Sequence, residues 1–278
     1  MKRVIKLNVY VLCFAGLLLA FNMLIWEPRR INVVEYYVYT DKWHSPKPLR
    51  IALIADVHAI WPWMSVAHIQ RIVEKTNALS PDLTLLLGDY VATHPFGFPI
   101  KASDGVKPYE QLRADCGVYA VIGNHDLHGS VGWPEALRNT TVPVLENSSV
   151  FVQCDQGRFY VAGLEDLWWQ NADVNRALSN VEIGVPVILA MHNPDSFPEV
   201  PKDVALSVAG HTHAGQVRLP FGGAVESVIP SKYGKRYHYG YVHEDGKDLV
   251  VSGGLGNSGI PMRLLNPPEI VIVTLMKK

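Results

Sequence analysis

The chain has 278 residues, 25 Lys and Arg against 26 Asp and Glu, and three cysteines. A net charge of −1 without a long basic block leaves no electrostatic footprint for nucleic acid, which excludes polyanion binding as the main task. The cysteines exclude a disulfide scaffold: Cys13 lies in an apolar leader, only Cys116 and Cys154 could pair, and free thiols are expected.

From Leu7 to Trp26 the chain is apolar, broken only by Asn8 and Asn22. At about 1.5 Å per residue it can cross a hydrocarbon core roughly 30 Å thick. No small-x-small site follows Trp26, so residues 7–26 read as an uncleaved signal anchor rather than a cleaved signal peptide. Lys2, Arg3 and Lys6 precede the span, whereas Glu27, Pro28, Arg29 and Arg30 follow it. The balance of positive charge makes residues 1–6 a cytoplasmic N-terminus. A single-pass protein of the inner or plasma membrane is expected, with its catalytic domain on the outer, periplasmic side. Residues 27–48 read as a linker with an edge strand over 31–39, and residues 49–278 as one catalytic domain.

Leu49 to Ala55 is a short apolar run, the pattern of a strand buried on both faces, with Asp56 and His58 just past its end. Val66, Ile69, Ile72, Val73 and Leu79 fall at helical spacing behind Ser65, a capping residue, so 65–79 is an amphipathic helix ended by Ser80-Pro81-Asp82. Leu83 to Leu87 makes a second buried strand that delivers Gly88-Asp89. The same delivery recurs where Gly117 to Ile122 ends in Gly123-Asn124-His125-Asp126, and where Pro186 to Met191 ends in His192. It recurs again where Val204 to Ala209 ends in Gly210-His211-Thr212-His213. Ligand types at successive strand ends are what an open α/β sheet with its site along one edge requires. Further strands over 159–164, 237–242, 248–252 and 269–275 suggest a second, more antiparallel sheet.

The fragments share one chemistry. Each offers nitrogen or oxygen donors to a hard-to-borderline divalent ion, no cysteine takes part, and two neighbouring ions need about this many ligands. Manganese, iron, zinc and magnesium all accept the mixture. Outside the set, Arg263 follows the glycine-rich run 252–259 and could hold phosphate oxygens, with a plain surface loop as the competing reading. His128, two residues past Asp126, could touch substrate. Trp61, Trp63, Trp168 and Trp169 are candidates for interfacial or acyl-chain contact, or equally for core filling. His44, His68, His94, His238 and His243 read as packed or solvent-bound.

The ordered set D-x-H, GD, GNHD, H and GHTH resembles the calcineurin-like metallophosphoesterases from about Leu49 to the C-terminus. The wording around Leu87-Gly88-Asp89-Tyr90-Val91, His192-Asn193-Pro194-Asp195 and Gly210 to Gln216 is similar to the bacterial membrane-associated phosphodiesterase branch. The resemblance implies an α/β fold, a sandwich of two mixed β-sheets flanked by helices, after an N-terminal transmembrane helix. It implies two divalent metal ions: Asp56, His58 and His213 on the first, Asn124, His192 and His211 on the second, and Asp89 bridging both. A hydroxide bridging the ions would attack phosphorus in line, His125 would protonate the leaving group, and Asp126 would fix the tautomer and orientation of His125. The expected partners are the membrane and a phosphodiester or lipid-linked pyrophosphate substrate, with no nucleic acid. The alternatives are a UDP-2,3-diacylglucosamine pyrophosphatase of lipid A synthesis, which would face the cytoplasm, and a non-catalytic metal-binding scaffold.

Overall fold

Strand β2 (Leu49–Ile54) sends Leu49, Ile51 and Leu53 to one face and Ala52 and Ile54 to the other, and both faces are buried. A strand covered on both sides requires layers on both sides. The computed structural model, which describes residues 2–93, 95–128 and 132–278, supplies them as two packed sheets with helices and turns outside. In chain order the other strands are β1 (Asn32–Thr40), β3 (Leu83–Leu86), β4 (Val118–Ala120), β5 (Ser148–Cys154) and β6 (Gly157–Gly163). They are followed by β7 (Val187–Ala190), β8 (Leu206–Ala209), β9 (Gly240–Glu244), β10 (Lys247–Val251) and β11 (Glu269–Lys277).

The first sheet has the order β1-β11-β2-β3-β4 and the second β9-β10-β8-β7-β6-β5. Strands β2, β3 and β4 run parallel, as do β6, β7, β8 and β10, so each group aims its C-terminal ends one way. Leu53, Leu85, Val161, Ile188, Val208 and Val273 fill the layer between the sheets. Helix α2 (Val66–Ala78) covers the outer face of the first sheet through Ile69, Ile72 and Val73, and Ser65 caps it by accepting from the His68 N–H at 3.3 Å.

The second sheet is parallel in its centre and antiparallel at its flanks, β9 and β5; with two antiparallel pairings against one in the first sheet it is the more antiparallel of the two, as expected. Two expectations change. The run from Glu269 belongs to the first sheet, where β11 pairs with β1 from Asn32–Glu269 to Thr40–Lys277, and the strand expected over 31–39 stands at the edge of that sheet as β1. Cys116 and Cys154 are disulfide-bonded rather than free. Cys116 precedes β4 and Cys154 ends β5, and packing the two sheets brings their Cα atoms to 5.4 Å, within the span a disulfide needs.

The leader forms helix α1 (Lys2–Phe21), which continues through a π turn over Asn22–Trp26 and a 3-10 turn over Glu27–Arg29. The stretch Lys6–Arg29 is long and apolar enough to cross a membrane; its apolar part is not buried against the rest of the protein, whereas Glu27 and Pro28 at its end are.

Candidate metal centre

The parallel strand ends deliver their loops to one cleft. Five of the expected ligands, Asp56, His58, Asp89, His211 and His213, have positive φ, between 49° and 73°. For residues with a side chain that conformation costs about 1–2 kcal/mol each, and such clusters of strain persist where the surroundings over-determine them. Gly88, at φ 87°, shows how close the loops pack: a Cβ there would stand 2.6 Å from Gly123 N and 2.9 Å from His192 Nδ1. At Gly210 a Cβ would stand 2.6 Å from Asp56 Oδ2.

Donor atoms of Asp56, His58 and His213 lie within 4.8 Å of one another, and so do those of Asp89, His192 and His211. Asp89 Oδ2 sits between the groups, 3.6 Å from His58 Nε2 and 3.3 Å from His192 Nε2. Asn124 Oδ1 joins the second group 3.0 Å from His192 Nε2. The histidine rings are aimed by backbone carbonyls: His192 Nδ1 lies 2.7 Å from Leu87 O, His211 Nε2 2.9 Å from Pro230 O, and His58 Nδ1 3.3 Å from Val91 O. A ring that donates there turns the lone pair of its other nitrogen inward, the arrangement a metal-ligating histidine uses.

The inward atoms crowd one another. His58 Nε2 is 2.9 Å from His213 Nε2, and His192 Nε2 is 3.1 Å from His211 Nδ1. Acceptor nitrogens tolerate such spacing when a cation or a proton lies between them. Burial lowers His192, yet the Asp89 carboxylate overrides it and pushes the imidazole up to about 10. Burial in turn raises Asp89, but the His192 charge holds it well below the usual carboxylate range. Burial drives Asp56 up to about 7 and takes His211 down to about 3, the latter with help from the charge on His192. His211 and His213 are thereby kept neutral, while His192 pairs as a cation with the ionised Asp89 carboxylate; a divalent ion would take the place of that proton, since imidazole must be deprotonated to bind a metal.

His125 reaches the cleft next to this set, with its ring edge-on to His58 and its backbone N–H donating to Asp89 Oδ1 at 2.8 Å. Its Nδ1 is hydrogen-bonded to Thr93 Oγ1 and its Nε2 is 3.5 Å from Ser258 Oγ. Asp126 does not have the role expected of it. Its buried carboxylate accepts the backbone N–H groups of Asp89, Tyr90, Val91 and Gly123, stapling two ligand loops together, and Thr93 orients the ring instead.

Arg263 also differs from expectation. It is fully buried, and its guanidinium donates to the carbonyls of Gly253, Gly256 and Asn266, with Nη2 3.3 Å from His213 Nδ1. It lies behind the ligands instead of facing substrate, because the glycine-rich run wraps around it. Burial lowers it to about 10, against the raising effect of Glu269, Asp56 and Glu27. His128 is exposed and stacks on Trp169 with ring centroids 4.3 Å apart, outside the lining of the cleft. Trp168 does line it, edge-on to His211 at 4.5 Å. Trp61 is exposed and packs on Phe98, and Trp63 is half-buried. His68 is buried, His44 exposed, and His94 lies outside the described residues.

The cleft has a volume of about 370 Å³, and Val217, Val228, Pro230, Ile260 and Met262 give it an apolar part to its lining. Thr93, Ser258 and this apolar lining had no local sequence signal, since each reaches the cleft from a loop without periodicity.

The sequence matches the calcineurin-like phosphoesterase family over residues 49–215. It is 28% identical over 256 residues to the Bacillus subtilis (strain 168) protein named Uncharacterized metallophosphoesterase YkuE, covering 90% of this chain and 87% of that protein. It is 27% identical over 265 residues to an Aquifex aeolicus (strain VF5) metallophosphoesterase, covering 89% and 93%. A Danio rerio protein named Transmembrane protein with metallophosphoesterase domain is 28% identical over 260 residues, or 88% of this chain; the chain spans 57% of that relative's length.

Proposed function

This chain belongs to the calcineurin-like phosphoesterase family, and from that premise and the geometry of the cleft we propose a membrane-anchored, dinuclear-metal phosphohydrolase acting on a phosphodiester or pyrophosphate. The observation that carries it is the position of Asp89 between two groups of inward-facing donors. Asp56, His58 and His213 would hold one ion and Asn124, His192 and His211 the other, with Asp89 shared. Two divalent ions, when bound, lower the pKa of water and offset charge on phosphate oxygens. His125 holds a proton at Nε2 for the leaving oxygen, its ring fixed by Thr93 at Nδ1. Asp126 keeps the Asp89 and Asn124 loops in register.

Two observations favour the finer points. The apolar part of the cleft's lining suits a substrate whose other end is a lipid, and a span next to the domain keeps the cleft near a bilayer. The disulfide between Cys116 and Cys154 belongs to an oxidising compartment, in line with an inner or plasma membrane anchor and a catalytic domain on the outer side. It weighs against a cytoplasmic UDP-2,3-diacylglucosamine pyrophosphatase. The complete ligand set together with His125 weighs against a non-catalytic scaffold.

The test is release of nitrophenol from bis-nitrophenyl phosphate by the full-length protein with added manganese, zinc, iron or magnesium. Turnover that a chelator abolishes is expected, and no turnover with any of the four would sink the enzyme reading. A panel of acylated and soluble diesters then separates lipid from soluble substrates, and a reporter fused to the C-terminus reads the side of the membrane.

A further inference from the structure

The last turn of the membrane helix is joined to the metal centre by a short hydrogen-bonded path. The carbonyl of Met23 accepts from the Arg263 N–H at 3.0 Å. Glu27 Oε1 accepts from the Asn266 N–H at 2.6 Å, while its other oxygen accepts from Asn22 Nδ2 at 3.0 Å. On the opposite side of the same segment, Asn266 Nδ2 donates to the carbonyl of His213 at 2.6 Å, and Arg263 Nη2 faces His213 Nδ1. Glu27, Arg263 and Asn266 are 4%, 0% and 3% exposed.

A tether has no need of such a joint. An apolar span holds a domain to a bilayer by its length and hydropathy, and burying a carboxylate beside it is costly unless the charge is hydrogen-bonded. His213 is the part that benefits from bracing. Its φ is 51°, in a run where His211, Ala214 and Gln216 stand at 73°, 50° and 54°. With about 1–2 kcal/mol of backbone strain at each such residue, the loop would relax if released and carry the imidazole with it.

We propose that Glu27 and Asn266 are positioning residues for His213, so that the end of the membrane helix is a working part of the metal site. The inference rests on the dinuclear reading above. Glu27 fixes the Asn266 backbone, Asn266 fixes the His213 carbonyl, and the ring is thereby held toward Asp56 and His58. Loosening the joint frees the ion shared by Asp56, His58 and His213 more than the one shared by Asn124, His192 and His211.

The experiment is calorimetric titration of manganese into full-length protein in lipid nanodiscs, with thermal unfolding of each metal-free variant measured alongside. Glu27→Ala and Asn266→Ala are expected to weaken one of the two ion sites by about tenfold or more, the range for loss of a partner behind a ligand. The other site should keep its affinity. Glu27→Gln, which retains an accepting oxygen, should restore most of the loss. Wild-type affinity at both sites in both alanine variants overturns the proposal. So does an equal loss at both sites that accompanies a lowered unfolding midpoint of the metal-free protein. Wild-type protein that takes up no manganese sinks this proposal and the dinuclear reading together, whereas normal uptake with unaltered variants sinks this proposal alone.

Discussion

Two cavities lie at opposite ends of the parallel strands of the second sheet, and the larger one is not the candidate metal centre. One of about 540 Å³, lined by Lys42, His44, Glu182, Val187, Asp203 and Val204, opens at the start of β7 and just before β8. The candidate metal cleft, at about 370 Å³, opens past the C-terminal ends of β3, β4 and β8. Both contain titratable groups, so neither volume nor charge distinguishes them. In the larger cavity Lys42 Nζ is spent on the carbonyls of Val204 and Gly246 and His44 is exposed; in the cleft the donors are buried, crowded and held on strained backbone. Convergence of oriented donors is the mark of the site, and strand direction decides which end receives it.

Asp89→Asn should lower kcat by at least about a thousandfold, whereas His44→Ala should leave kcat/KM unchanged, both read as nitrophenol release. A His44→Ala enzyme as impaired as Asp89→Asn would refute the assignment. His125→Ala should cost about a hundredfold to ten-thousandfold in kcat while metal content by elemental analysis stays at the wild-type level. Metal lost along with activity would make it a ligand instead of an acid.

Asp126→Asn replaces an acceptor facing four backbone N–H groups with an amide that can misplace a donor there, so denaturant unfolding should show a loss of roughly 2–4 kcal/mol. Glu182→Ala, in the larger cavity, should stay within about 0.5 kcal/mol of wild type. His68 tests pH. Burial, with Arg71 and Arg29 nearby, depresses it to about 4, so the unfolded chain, at an ordinary value of about 6.5, takes up the proton first. The neutral histidine's contribution is complete above about pH 6.5 and falls by roughly 1–3 kcal/mol as pH drops toward 4. The pH dependence of the thermal midpoint should therefore flatten in His68→Leu, and an unchanged slope would refute this account.

Where a residue's role follows from its neighbours in the chain, the sequence reading and the structure agree. Asp56 and His58 follow a run of apolar residues that can only be a buried strand, so their place at a strand end was legible, as was the Ser65 cap three residues before His68. Where a role depends on distant chain, reading failed. Arg263 looked like a loop cation, yet the carbonyls of Gly253 and Gly256 enclose it. Asp126 looked like the partner of its neighbour His125, but a carboxylate so close in sequence turns away to bind the 89–91 backbone, leaving the ring to Thr93. The cysteines looked unpaired because their approach depends on how two sheets stack.

Burial periodicity and donor chemistry are local properties, so the apolar span, the buried strands and the metal-binding residue types past their ends were all legible in the chain. Packing of the fold set the distances between the donors around Asp89, the inward turn of the imidazoles, the burial of Arg263 and the joint from Glu27 through Asn266 to His213. Those depend on contacts between residues up to 239 positions apart, and such contacts exist only once the sheets have packed.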